Sequence, residues 1–181
     1  MAVMVRLHDN TFVPLIGQEK IQQRVRELGA ELNARFADKN PLFIGILNGA
    51  FIFAADLVRT FAGPCEISFV KLSSYSGLQS VGDVRQVLGL ETRVEGRHVV
   101  LIEDILDTGR TLHFLVSDLV AQGPATVSIA AFLRKPAAAQ FPVQADLIGF
   151  DIEDRFVVGY GLDYDGLGRN LPAIYVLEGS R

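Results

Sequence analysis

Strand-like and helix-like segments alternate through the middle of this chain, which predicts an α/β fold with a mostly parallel central sheet flanked by helices. Two short runs, LFIGIL at 42–47 and HVVLI at 98–102, are too apolar to face water on either side, as strands buried in a parallel sheet must be. Each is followed by a glycine-containing turn, at Gly49 or Gly109, and then by apolar residues at helical spacing. A length of 181 residues, with 49% hydrophobic and 21% charged, suits one core and a single domain over 1–181.

The elements follow in order. Ile21, Val25, Leu28 and Leu32 recur at helical spacing with Lys20, Gln23, Arg24, Glu27 and Glu31 on the other faces, predicting an amphipathic helix over 17–36. Asn40 and Pro41 stop it, and the strand 42–47 begins. Asn48-Gly49 breaks that strand, and 50–61 reads as a helix packing through Phe53, Leu57, Val58 and Phe61. A strand over 66–73 leads into the polar stretch 74–83, which holds Gly77 and Gly82 and has little to bury, the pattern of a mobile loop. The segment 84–90 reads as its return strand. The strand 98–102 ends in Glu103-Asp104, turns through Asp107-Thr108-Gly109 and continues into a helix over 110–122, whose apolar side carries Leu112, Leu115, Val116 and Leu119. Gly123-Pro124 terminates it. Strands over 126–133, 147–150, 156–158 and 174–177 complete the set.

Composition narrows the function. A net charge of −4 offers no global attraction for nucleic acid, so an anionic ligand has to be held by backbone amides, a few cations or a metal ion. The single cysteine, Cys65, has no partner in the chain, which fits a reducing compartment. The first ten residues do not read as a secretory leader, and the apolar runs fall well short of the ~20 residues that span a bilayer. The expectation is a cytoplasmic protein with neither nucleic acid nor membrane as partner.

In parallel sheets ligands bind beyond the carboxyl ends of the strands, which directs attention to the residues after Leu47, Ile102 and Leu133. Between 99 and 111 the sequence VVLIEDILDTGRT delivers Glu103 and Asp104 from a buried strand and sets Asp107 before a small hydroxyl-and-glycine loop. The loop 107–111 combines free N–H groups at a helix N-terminus with the hydroxyls of Thr108 and Thr111, a cradle for a phosphate dianion, and Gly109 allows close backbone approach. Ionised Glu103 and Asp104 only accept hydrogen bonds, so they suit sugar hydroxyls or a hard divalent cation. Taken alone, an acidic pair reads as a solvated loop and Asp-Thr-Gly as a helix cap. Three carboxylates clustered after a buried strand repel one another unless a cation or ligand compensates.

The segment resembles the signature of type I phosphoribosyltransferases: apolar residues, Glu-Asp, two further residues, then Asp-Thr-Gly-x-Thr. The match is complete. Leu47-Asn48-Gly49-Ala50-Phe51, Ser74-Tyr75, Lys135 after Phe132-Leu133-Arg134, and Phe156-Val157-Val158-Gly159-Tyr160-Gly161-Leu162-Asp163-Tyr164 with Arg169 beyond are similar to the hypoxanthine-guanine branch. The resemblance runs from about Leu42 to Ile174 and implies a small hood formed by the N- and C-terminal segments, a mobile hairpin loop, Mg2+ as cofactor and a homodimer or homotetramer.

It also implies roles. Asp107 is the acid-base group near purine N7. Asn48, Gly49, Ser74, Tyr75, Glu103, Asp104, Asp107, Thr108, Gly109, Arg110, Thr111 and Arg169 bind 5-phosphoribosyl-1-pyrophosphate. Lys135 donates to the 6-oxo group, Phe156 stacks on the purine, the Val157 backbone reads its edge, and Asp163 completes the base site. Glu103 and Asp104 serve one metal and Asp163 a second. The implied reaction joins a purine base to the activated ribose, with hypoxanthine and guanine as the expected bases. A xanthine-preferring or pyrimidine enzyme, or a nucleotide-sensing regulator that binds nucleic acid, are the alternatives. The chain departs from the pattern at Asn48, where relatives often carry Lys or Arg.

Overall fold

The computed structural model describes residues 3–74, 84–90 and 92–179. Its centre is a six-stranded sheet in the order β5-β4-β3-β6-β7-β8. The strands are β3 (Leu42–Leu47), β4 (Glu66–Ser74), β5 (Val84–Leu88), β6 (His98–Leu106), β7 (Thr126–Arg134) and β8 (Leu147–Asp151). β4, β3, β6, β7 and β8 pair in parallel, and β5 returns antiparallel on the β4 edge.

Successive residues of a strand point to opposite faces, and β6 divides its apolar side chains accordingly. Val100 and Ile102 join one cluster with Ile21, Leu28, Leu32 and Phe53, from helices α1 (Gln18–Phe36) and α2 (Phe51–Arg59). Val99 and Leu101 join a second with Leu112, Leu115 and Leu119, from helix α3 (Arg110–Val120). The chain winds outward from β3 through α2 to β4, and in the opposite direction from β6 through α3 to β7. Right-handed crossovers then place α2 and α3 on opposite faces and leave a crevice beyond the ends of β3 and β6.

A second, antiparallel sheet in the order β1-β2-β10-β9 is built from the two ends of the chain: β1 (Val5–Leu7), β2 (Asn10–Ile16), β9 (Val157–Val158) and β10 (Ile174–Leu177). This is the hood that the resemblance implied. Its first two strands carry no expectation from the sequence pattern. Pro14 sits inside β2, where a proline argues against a strand, and it is accommodated where the pairing register shifts between Ile174 and Tyr175.

One boundary differs in a way that matters. The strand expected over 98–102 runs on to Leu106, so Glu103 and Asp104 lie within β6 and not beyond its end. Pairing with β7 continues through Glu103–Ala131, Ile105–Leu133 and Leu106–Arg134, which keeps the backbone extended. Tyr75 and the rest of the predicted mobile loop fall among 75–83, outside the described residues; Ser74 ends β4 opposite Val84. Among the described residues no helix is long and apolar enough to cross a membrane.

Candidate active site

The backbone of Gly49 is the meeting point. Asp104 on β6 packs so closely against it that a side chain there would collide with the Asp104 carboxylate. On the other side Gly161, at φ 105°, lies against the Gly49 carbonyl with no room for a Cβ. Only glycine adopts such a φ freely, so sterics and conformation demand the same residue. Asn48, exposed beside it, follows a cis peptide bond with Leu47.

Glu103 and Asp104 share the end of the crevice. Asp104 Oδ1 accepts from the Ile105 N–H at 2.8 Å. Glu103 Oε2 is buried without a hydrogen-bond partner. Burial first, and then the neighbouring Asp104 carboxylate, pushes the Glu103 carboxyl well above its usual range. Immediately downstream, Glu103, Asp107, Thr108, Gly109 and Thr111 line a cavity of about 110 Å³. Gly109 takes φ 81° as the cap of α3, turning the 107–109 backbone into the helix N-terminus. The carbonyl of Thr108 accepts from the N–H groups of both Gln140 and Phe141 at 3.0 Å, bracing this loop from behind.

Lys135 follows β7 and is almost wholly buried, at 9% exposure. Its Nζ stands 3.5 Å from Asp107 Oδ2 and 3.1 Å from Asp154 Oδ1. Two carboxylates therefore compensate the one buried cation. Its backbone N–H donates to the Leu106 carbonyl at 2.9 Å, tying it to the end of β6.

The hood contributes the remaining groups. Phe156 is 45% exposed, with its ring edge-on to Tyr164 at 5.8 Å. β9 is an edge strand, and the Phe156 carbonyl accepts from the Leu177 N–H on the β10 side. Alternation along the strand then turns the N–H and C=O of Val157 to the open edge. Arg169 donates from Nη1 to the Gly161 carbonyl at 2.6 Å and pairs through Nη2 with Asp163 at 2.7 Å. Asp163 Oδ2 also accepts from the Gly166 N–H at 2.8 Å.

Acidic residues at a switch-point crevice, a glycine-capped helix start and a caged lysine thus lie together beyond the ends of the parallel strands. The family model for the phosphoribosyl transferase domain matches residues 16–165. This chain belongs to the phosphoribosyltransferase family. It is 44% identical over 165 residues to the hypoxanthine-guanine phosphoribosyltransferase of Bacillus subtilis (strain 168), covering 91% of this chain and 92% of that one. The hypoxanthine-guanine-xanthine phosphoribosyltransferase of Tritrichomonas foetus is 40% identical over 167 residues, with 92% and 91% covered. A crystal structure of a hypoxanthine phosphoribosyltransferase from Staphylococcus aureus superimposes with a TM-score of 0.87 at 37% identity, covering 92% of this chain and 91% of that one.

In this phosphoribosyltransferase the predicted residues fall into three groups. Glu103, Asp104 and the 107–111 loop form one, Lys135 with Asp107 a second, and Asp163 with Arg169 a third, joined to the first through Gly49 and Gly161. The candidate metal residues do not form one cluster: no group of three or more His, Cys, Asp or Glu side chains suited to a metal ion occurs among the described residues. Two adjacent carboxylates with an unsatisfied buried oxygen still fit Mg2+, which is held by one or two carboxylates while substrate oxygens and water complete its shell. The sequence reading missed Asp154, one of several acids in a charged turn, which becomes significant only because the fold delivers Lys135 beside it. It also gave no role to Tyr160 and Asp56.

Proposed function

We propose that this phosphoribosyltransferase moves the 5-phosphoribosyl group from 5-phosphoribosyl-1-pyrophosphate to N9 of hypoxanthine or guanine, releasing pyrophosphate. The observation that carries the base assignment is the buried Lys135 ammonium, standing between Asp107 and Asp154. An ammonium has donors and no acceptor, so it suits a 6-oxo group and disfavours the 6-amino group of adenine. Phe156 offers a ring face to the purine, and the open edge at Val157 offers an N–H and a C=O to its rim.

The 5-phosphate takes the 107–111 loop, where N–H groups at the start of α3 point toward it. Glu103 and Asp104 would receive the ribose hydroxyls and hold Mg2+, and Asp163 is the candidate for a second ion. The metal supplies neutralisation of the pyrophosphate charge. Arg169, held in place by the Gly161 carbonyl and Asp163, offers its remaining N–H donors to the departing pyrophosphate beside the Asn48-Gly49 backbone. Charge grows there as the glycosidic bond breaks, so Arg169 acts more strongly on the transition state than on the ground state. Asp107 handles the proton at purine N7. Asn48 leaves pyrophosphate binding at this position to the backbone.

Purified protein is incubated with the activated ribose, Mg2+ and, separately, hypoxanthine, guanine, xanthine, adenine and uracil, and nucleotide formation is followed. Product from hypoxanthine or guanine, with adenine and uracil inert, is the expected outcome. No nucleotide from any base rejects the reading, and xanthine as the preferred base replaces its specificity.

A further inference from the structure

We propose that Tyr160 and Asp56 are a positioning pair that fixes the pyrophosphate end of the site, by docking the 159–171 turn onto the helix that follows the Asn48-Gly49 loop. The inference rests on the reading of that site given above. Asp56 lies on α2, and α2 springs directly from the loop, with the Ala54 N–H donating to the Ala50 carbonyl at 2.8 Å. Asp56 and Gly49 therefore belong to one rigid unit.

Tyr160 belongs to the other. It sits at φ 47° between Gly159 and Gly161, at φ 102° and 105°. A bulky aromatic residue rarely adopts a left-handed backbone, so its side chain must be held by its surroundings. The ring is 5% exposed and packs at 4.8 Å from the Phe132 ring. Its hydroxyl donates to Asp56 Oδ2 at 2.7 Å, across 104 residues of sequence. Burial, and then the Asp56 carboxylate, pushes the phenol far above its ordinary range, so the donor stays protonated across the working pH range.

The next residue makes the second contact, since Gly161 rests against the Gly49 carbonyl. Two adjacent residues thus grip two points of the same unit, one by hydrogen bond and one by backbone contact. Arg169 follows them rigidly. The Gly161 carbonyl accepts from Arg169 Nη1 at 2.6 Å, and the Gly161 N–H donates to the Arg169 carbonyl at 3.0 Å. The position of the guanidinium relative to the Asn48-Gly49 backbone is therefore set through Tyr160 and Gly161, although neither Tyr160 nor Asp56 has to touch substrate.

The test measures binding of inorganic pyrophosphate with Mg2+ by calorimetry, together with KM values and melting temperatures. Tyr160→Phe, which removes only the hydroxyl, weakens pyrophosphate binding about tenfold and raises the KM for the activated ribose similarly, while the KM for the base stays within about twofold. Asp56→Ala reproduces this without touching the aromatic packing, and serves alone if Tyr160→Phe does not fold. Asp56→Asn keeps an acceptor oxygen and restores most of the affinity. Unchanged pyrophosphate affinity in Asp56→Ala overturns the proposal, as does an equal loss for base and pyrophosphate, which is general loosening. A wild-type protein that makes no nucleotide is a different failure, that of the functional reading itself.

Discussion

The two ends of the site are assembled by different means. At the end proposed for the sugar-phosphate, Glu103, Asp104, Asp107, Thr108, Gly109 and Thr111 lie within nine consecutive residues, placed by one strand, one turn and one helix start. At the end proposed for the base and pyrophosphate, Phe156, Val157, Asp163 and Arg169 depend on pairing between strands from opposite ends of the chain and on contacts such as Tyr160 with Asp56. The first end is pre-set by local geometry, and the second exists only once the hood has docked. A single-residue change at the first end should alter chemistry with little effect on the fold. A change at the second should separate one substrate from the other.

Asp107 sharpens this contrast most, because it belongs to the first end yet faces Lys135. Its side chain is 46% exposed, so Asp107→Asn removes little packing. General acid-base groups contribute about 10² to 10⁴ in rate, and kcat is expected to fall by that order while the melting temperature holds within a few degrees. Steady-state kinetics and a thermal melt on the same sample decide it. A near-normal kcat would remove Asp107 from proton transfer.

Lys135 should show a smaller effect of another kind. Lys135→Ala deletes the charge-assisted donor proposed for the base, so the preference for hypoxanthine over adenine is expected to narrow by about ten- to a hundredfold in kcat/KM, with the KM for the activated ribose little changed. Because the variant also leaves Asp107 and Asp154 facing each other without their cation, kcat is measured for both bases and only the ratio is compared. An unchanged ratio would take Lys135 out of base recognition.

How much of this was legible in the sequence follows the same division. The buried strands 42–47 and 98–102 and the helix opening at Arg110 were readable because a parallel sheet forces apolar residues on both faces of a strand and because the Asp-Thr-Gly turn announces the helix. Only half of the hood was readable by pattern: the strands expected over 156–158 and 174–177 are β9 and β10, whereas β1 and β2 gave no expectation, because β1 is three residues long and β2 contains Pro14. The acids were legible as charges but not by their partners: Asp163, expected at a second metal apart from Glu103 and Asp104, is engaged by Arg169 and Gly166. Asp154 and Asp56 gave no signal, since an acid in a charged turn or on a helix face looks solvated until the fold supplies its partner.

Glu103 offers the smallest effect and bears on whether the first end is strained by its own acids. The extension of β6 through Leu106 places Oε2 where it is buried and unpartnered, beside a second carboxylate. The fold therefore raises the Glu103 pKa, which means that it favours the protonated form. Stability from this group is fully present below the ordinary glutamate pKa and is lost as pH rises through the raised value. Above that value the charged side chain costs stability until a cation or the substrate hydroxyls engage it. Glu103→Gln keeps the shape and removes the charge, although its amide has to find its own acceptor. A buried unsatisfied polar group costs about 1–3 kcal/mol, and each kcal/mol shifts melting by roughly 2–4 °C in a protein of this size. The variant is expected to melt a few degrees above the wild type at pH 8, with a smaller gain at pH 5, while binding Mg2+ and the activated ribose more weakly. A melting difference that is absent, reversed or equal at the two pH values would show that the acids of β6 are accommodated without strain, and that the sugar-phosphate end gives up no stability for its ligand.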